Sequence, residues 1–198
     1  MGFIFAHLIF YLTLVLFGTY LLLGIYSALA LRKYLRKNSY VNYNSLVLSP
    51  LSPRITIIAP AFNEGKTIID NVRTLLSLYY NNFEVIIVND GSTDETFEKI
   101  RDAYELVRVN YYFDYRIPCE RIRGVYRSKD PAYNRLTVID KNNGGKADSL
   151  NAGINISRSN LIVTIDADSI IEPDSILKLV KPFLEEKEKR VIGTGGVI

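Results

Sequence analysis

Residues 54–96 read RITIIAPAFNEGKTIIDNVRTLLSLYYNNFEVIIVNDGSTDET, and this stretch decides the fold. Two short runs of β-branched and aliphatic residues, 55–59 (ITIIA) and 84–88 (EVIIV), predict strands buried on both faces. Between them Ile68, Ile69, Val72, Leu75, Leu76 and Tyr79 recur with a period near 3.6, which predicts a helix over 66–79. Downstream, Phe97, Ile100, Tyr104 and Val107 predict a second helix over 94–107, with Ser92 and Glu95 as a capping box at its start. Two further apolar runs, 136–139 (LTVI) and 161–165 (LIVTI), predict two more buried strands. Strands alternating with helices across short turns imply an α/β class with a doubly wound, mainly parallel sheet and helices on both faces.

In such sheets ligands sit beyond the carboxyl ends of the strands, so the residues after each strand matter most. Acidic residues occupy all four positions: Glu64 after the first run, Asp90 after the second, Asp140 after the third, Asp166 and Asp168 after the fourth. Gathered on one edge they would repel unless a cation or hydrogen-bond donors compensate. Gly144-Gly145-Lys146 does not complete a Walker loop, because Asp140 stands where the earlier glycine is required and Ala147 follows the lysine. Gly193-Thr194-Gly195 does not complete a dinucleotide fingerprint, since position 198 is isoleucine. What remains is a glycine pair delivering Lys146 to a helix start, a way to meet a phosphate, or else a plain turn with a solvated lysine.

Outward from this body the composition changes. From Gly2 to Leu31 there is no Lys, Arg, Asp or Glu, which is long enough to span a hydrocarbon core of roughly 30 Å. The basic cluster Arg32, Lys33, Arg36 and Lys37 follows that run, the reverse of a signal peptide. Residues 1–37 therefore read as a retained single-pass anchor in the cell membrane, with the rest of the chain in the cytoplasm. His7, Tyr11, Tyr20 and Tyr26 need only interfacial or packing roles there. Residues 38–53 (NSYVNYNSLVLSPLSP) read as a linker, and 54–198 as the soluble domain. The formal net charge of +3 comes from the juxtamembrane cluster; without it 20 basic residues face 21 acidic ones, which gives no support for nucleic acid as partner. The single cysteine, Cys119, makes no internal disulfide and fits a reducing compartment.

Four blocks in order, APAFNE (59–64), VNDGSTDET (88–96), NGGKADSLNAG (143–153) and DADS (166–169), give a chain that resembles the family 2 glycosyltransferases. Within them it is similar to the membrane polysaccharide synthases of the cellulose, hyaluronan and poly-N-acetylglucosamine type. The resemblance covers residues 54–198 and implies a GT-A fold. It also implies inverting transfer from a nucleoside-diphosphate sugar, UDP-linked, to a growing polysaccharide or glycolipid, with Mg2+ or Mn2+. Carried over, it places Asp90 on the imide edge of uracil and Ala61, Phe62 and Glu64 along the nucleotide pocket. Lys146 would approach the base or diphosphate, Asp166 the ribose or a metal-bound water, and Asp168 the metal. Asp148 and Asn151 either support the site or serve as helix cap and surface. The family's catalytic base belongs to a later motif, expected beyond Ile198; Glu185 and Glu186, in EEKEKR, read as a solvated face. A second reading follows: a nucleotide-binding membrane module, non-catalytic or the product of a split gene, whose partner chain supplies the missing half. Finally, Tyr111, Tyr112, Tyr115, Tyr126 and Tyr133 interleave with Arg116, Arg121, Arg123, Arg127 and Lys129. A long loop beside the sheet or near an anionic membrane surface accounts for this better than stacking on single-stranded nucleic acid.

Overall fold

The computed structural model describes residues 2–38, 52–166, 169, 171–184 and 190–196, the side chains of 34–38 excepted. The chain divides into two compact units, Met1–Tyr43 and Asn44–Ile198. The first is built on helix α1 (Gly2–Asn38), whose segment Gly2–Lys33 is long and apolar enough to cross a membrane, with an 18-residue window that reaches a mean hydropathy of 2.3. Three of its polar side chains turn back onto their own helix. His7 Nδ1 donates to the Phe3 carbonyl at 2.8 Å, Thr13 Oγ1 to Ile9 at 2.9 Å and Thr19 Oγ1 to Leu16 at 2.8 Å, so these three donors are satisfied within the helix.

The second unit carries β1 (Ile55–Ala61), α2 (Ile68–Leu76), β2 (Phe83–Asp90), α3 (Thr96–Ala103), β3 (Leu106–Val109) and β4 (Ile122–Ser128). After a 3-10 turn at Pro131–Tyr133 come β5 (Leu136–Lys141), α4 (Lys146–Ile156), β6 (Leu161–Thr164) and α5 (Ser175–Leu184). One six-stranded sheet runs β3-β4-β5-β2-β1-β6. The pairs β1–β2, β1–β6 and β2–β5 are parallel, while β3–β4 and β4–β5 are antiparallel. The predicted mainly parallel α/β sheet is therefore present, made mixed by the antiparallel pairing of β4 with β3 and β5.

Its centre is where the apolar runs fall. Ile57, Ile58, Val85, Ile86, Ile87 and Val88 are each at most 1% exposed, on both faces. Ile58, Ile86, Val88 and Ile139 pack against Ala152 and Ile156 of α4. Alternation sends Ile57, Val85 and Ile87 to the other face, the side that α2 and α3 cover. Each such side chain contributes about 1.5–3 kcal/mol.

Four expectations need correction. The helix predicted over 94–107 ends at Ala103, because Glu105 adopts a left-handed φ of 47° and Val107 belongs to β3. The Ser92–Glu95 capping box does not form; Asp94 Oδ1 instead accepts from Thr96 N at 3.0 Å, while Ser92 Oγ accepts from Asn63 N at 3.0 Å. The run 111–134 is not one loop, since it contains β4, whose alternation is broken by a register shift between Ile122 and Gly124. Its residues serve packing: Tyr126 meets Phe97 edge-on at 5.0 Å, Tyr133 meets Tyr104 at 4.9 Å, and Arg123 pairs with Asp140 at 2.5 Å. Lastly, β6 is an edge strand with alternating partial burial, not a fully buried one.

Candidate functional site

The carboxyl ends of β2 and β5 lie side by side, and their register sets Asn89 beside Asp140 and Asp90 beside Lys141. Alternation sends the two pairs to opposite faces. On one face Asp140 Oδ1 accepts from Asn89 Nδ2 at 2.7 Å and from Arg123 Nη2 at 2.5 Å. On the other, the α4 side, Asp90 is 3% exposed. Its Oδ1 accepts from Lys141 Nζ at 2.5 Å and Gly144 N at 3.0 Å, and its Oδ2 from Gly145 N at 2.7 Å. Asn143 Nδ2 adds a bond of 2.8 Å to the Asp90 carbonyl. Lys141 also donates to the Asn142 carbonyl at 2.6 Å and pairs with Asp148 Oδ1 at 2.6 Å.

Burial opposes the charged form of Asp90, yet Lys141 and the two glycine amides outweigh it and hold the carboxyl below its usual value. Burial likewise opposes the Lys141 ammonium, but Asp148 and Asp90 together raise its pKa above the usual lysine value. The repulsion expected of acidic strand ends is thus relieved by donors from the chain itself.

The first and second blocks are stapled together. Asn63, at a φ of 56°, accepts with Oδ1 from Thr93 N at 2.9 Å, and Asp94 Oδ2 accepts from Gly65 N at 3.0 Å. Lys99 Nζ donates to the Gly65 carbonyl at 2.8 Å. Burial works against the Asp94 charge, but Thr96 and Gly65 prevail and its pKa falls below the usual range. At this junction Ala61 is 2% exposed while Phe62 is 48% exposed. Glu64 is half-buried, and its Oε2 accepts from Thr67 Oγ1 at 3.1 Å.

The third and fourth blocks meet as well. Gly145, at a φ of 88°, precedes α4, and Lys146, its first residue, forms an ion pair through Nζ with Asp166 Oδ1. Both side chains remain more than half exposed, at 64% and 51%. Asn151 Nδ2 donates to the Pro118 carbonyl at 3.0 Å and so anchors a neighbouring loop. Asp168, Glu185 and Glu186 lie outside the described residues.

Five of the predicted site residues fall in one contact and one turn: Lys146 with Asp166, and Ala61, Phe62 and Glu64 at the end of β1. Asp90 is tied to the turn that precedes Lys146 through the glycine amides. Sequence reasoning missed Lys141, Asn63 and Asp94, the residues that hold these groups in place. Nothing in spacing marks a lysine at the end of an apolar strand, whereas Asn63 and Asp94 sit inside the quoted blocks.

For a divalent cation, the described residues contain no cluster of three His, Cys, Asp or Glu side chains. Mg2+ and Mn2+ coupled to a diphosphate need only one or two carboxylates, because phosphate oxygens and water complete the shell. The hard, half-exposed oxygens of Asp166 fit that donor set.

A model of Glycosyl transferase family 2 matches residues 56–117 and 120–198. The glycosyltransferase GlyG of Streptococcus pneumoniae serotype 4 is 30% identical over 144 residues, 72% of this chain and 39% of that protein. The poly-beta-1,6-N-acetyl-D-glucosamine synthase of Staphylococcus aureus (strain COL) is 30% identical over 130 residues, 65% of this chain and 25% of the relative. The chain thus spans well under half the length of these curated relatives. A mannosyltransferase from Pyrobaculum calidifontis, solved in complex with GDP-Man and Mn2+, shares the fold at a TM-score of 0.52 and 22% identity, covering 72% of this chain and 38% of that one.

Proposed function

Because the chain belongs to glycosyl transferase family 2, we propose that the carboxyl ends of its strands bind a nucleoside-diphosphate sugar, UDP-linked, with Mg2+ or Mn2+. In the whole protein this serves an inverting transfer of the sugar to a growing polysaccharide or glycolipid. Helix α1 anchors it in the cell membrane, with the described sheet on the cytoplasmic side of the basic residues Arg32 and Lys33. The observation that supports this reading best is the Lys146–Asp166 ion pair standing beside a glycine turn bonded to Asp90.

Ala61, the exposed ring of Phe62 and Glu64 face the nucleoside. Asp90 has one acceptor direction not taken by Lys141 or the glycine amides, and that direction reads the imide edge of the base. The bond that breaks joins the anomeric carbon to a phosphate oxygen, so negative charge grows on the departing diphosphate. Lys146 meets that charge with its ammonium and with the positive end of α4 behind it. When bound, the divalent cation supplies Lewis-acid stabilisation of the diphosphate, held by Asp166 and, as the resemblance implies, Asp168.

Titration calorimetry of the full chain in lipid nanodiscs tests this directly. UDP with Mn2+ is expected to bind, GDP more weakly, and Lys146→Met to weaken UDP by roughly tenfold or more. A wild-type chain that binds neither nucleotide overturns the reading.

A further inference from the structure

Lys141 carries a charge that the proposed chemistry leaves unused. Its side chain has no solvent exposure. An ammonium in that position is costly unless fully paired, and an apolar side chain of similar volume is commonly as good for stability. Its retention is better explained by what it joins. The three oxygens around Nζ come from Asp90 at the end of β2, the Asn142 carbonyl at the start of the glycine turn, and Asp148 in the first turn of α4. These are the three segments that frame Gly144, Gly145 and Lys146. The same Asp90 oxygen that meets Nζ accepts from Gly144 N, and its partner oxygen accepts from Gly145 N. Asp148 is tied from its other side, where Oδ2 accepts from Glu120 N at 2.8 Å.

We infer that Lys141 is a positioning residue of the donor site: by joining Asp90 to Asp148 it sets the Gly144-Gly145 turn and so the place where Lys146 meets a diphosphate. This rests on the nucleotide-binding reading for its ligand, but its structural half stands on the turn alone. A lysine that only stabilised the fold would act on the whole sheet and be indifferent to Lys146. A positioning lysine acts on the turn, and its effect on binding runs through Lys146.

The experiment uses the full chain in nanodiscs and the double variant Lys141→Met with Asp148→Asn, which removes one charge of each sign and so leaves no new buried imbalance. Asp148→Asn alone, which keeps the Lys141–Asp90 contact, serves if the double variant does not fold. Amide hydrogen exchange is expected to accelerate at Gly144 and Gly145 by about tenfold or more, with β1, β2 and β5 still protected. Affinity for UDP with Mn2+ is expected to fall about tenfold, and adding Lys146→Met is expected to cost no more than about a further twofold, because the two changes remove one effect. Unchanged glycine protection, or a full additive loss on adding Lys146→Met, overturns the inference. If the wild-type chain binds neither UDP nor GDP, the donor-site reading and the ligand half of this inference fall. The exchange measurement then decides by itself whether Lys141 sets the turn.

Discussion

Asp90 and Asp166 both follow apolar runs of parallel strands, yet they occupy opposite physical situations. Asp90 ends a central strand under α4, is 3% exposed, and is held by an ammonium and two backbone amides. Asp166 follows an edge strand, keeps about half its side chain in solvent, and has Lys146 as its partner. Identical chemistry at equivalent topological positions therefore serves two ends. The buried carboxylate organises backbone and, in the proposed reading, keeps one acceptor direction for the base, whereas the exposed one can exchange its Lys146 partner, because only there is rearrangement cheap.

The sharpest way to break this contrast is Asp90→Ala. It strands the Lys141 charge with Asp148 and the Asn142 carbonyl and frees two glycine amides, so a loss of about 3 kcal/mol is expected in denaturant unfolding of the full chain. A loss below about 1 kcal/mol would show that Asp90 is no organising group. Next comes Gly91→Ala. The residue has a φ of +65°, and an added Cβ would stand 2.7 Å from Asn143 N, so about 2 kcal/mol is expected in the same measurement.

A smaller effect is read from pH. The folded-state pKa of Asp90 is lowered, so its contribution to stability is complete above the ordinary carboxylate value and is lost as pH falls through the folded value. Below about pH 4 the wild-type chain should therefore lose stability more steeply than Asp90→Asn, by up to one proton in slope. Equal slopes would remove Asp90 from the acid limb. The least effect on stability belongs to Asp166→Asn, under about 0.5 kcal/mol for an exposed pair. The same variant is expected to weaken UDP with Mn2+ roughly tenfold in calorimetry, which separates ligand contact from scaffold.

Much of the fold was legible in the chain. ITIIA and EVIIV became the interior strands β1 and β2 because their residues suit burial on both faces, and LTVI became β5 for the same reason. The antiparallel pair β3 and β4 was not legible. LVRV follows a helical pattern without a break in polarity, and only the left-handed Glu105 ends the helix. In β4 the shift at Ile122 and Gly124 erases the period of two that marks a strand. Of the candidate site, the four blocks supplied the residues proposed to form it, whereas the contacts of Lys141, Asn63 and Asp94 appear only when strand ends are placed side by side. The pairing of Asp140 with Asn89 and Arg123, away from Asp90, likewise depends on alternation across a sheet whose register no local spacing reports.

By itself the amino-acid order determined an apolar N-terminal helix long enough for a bilayer, a mainly parallel α/β sheet, and membership of a family of sugar transferases. These follow from hydrophobic periodicity, charge placement and contiguous motifs, all of which are local along the chain. Only the tertiary structure decided which carboxylates are buried, which donors neutralise them, and that Lys146 meets Asp166. Such facts depend on contacts between residues tens of positions apart, where electrostatic strength is set by burial and distance and not by neighbours in sequence.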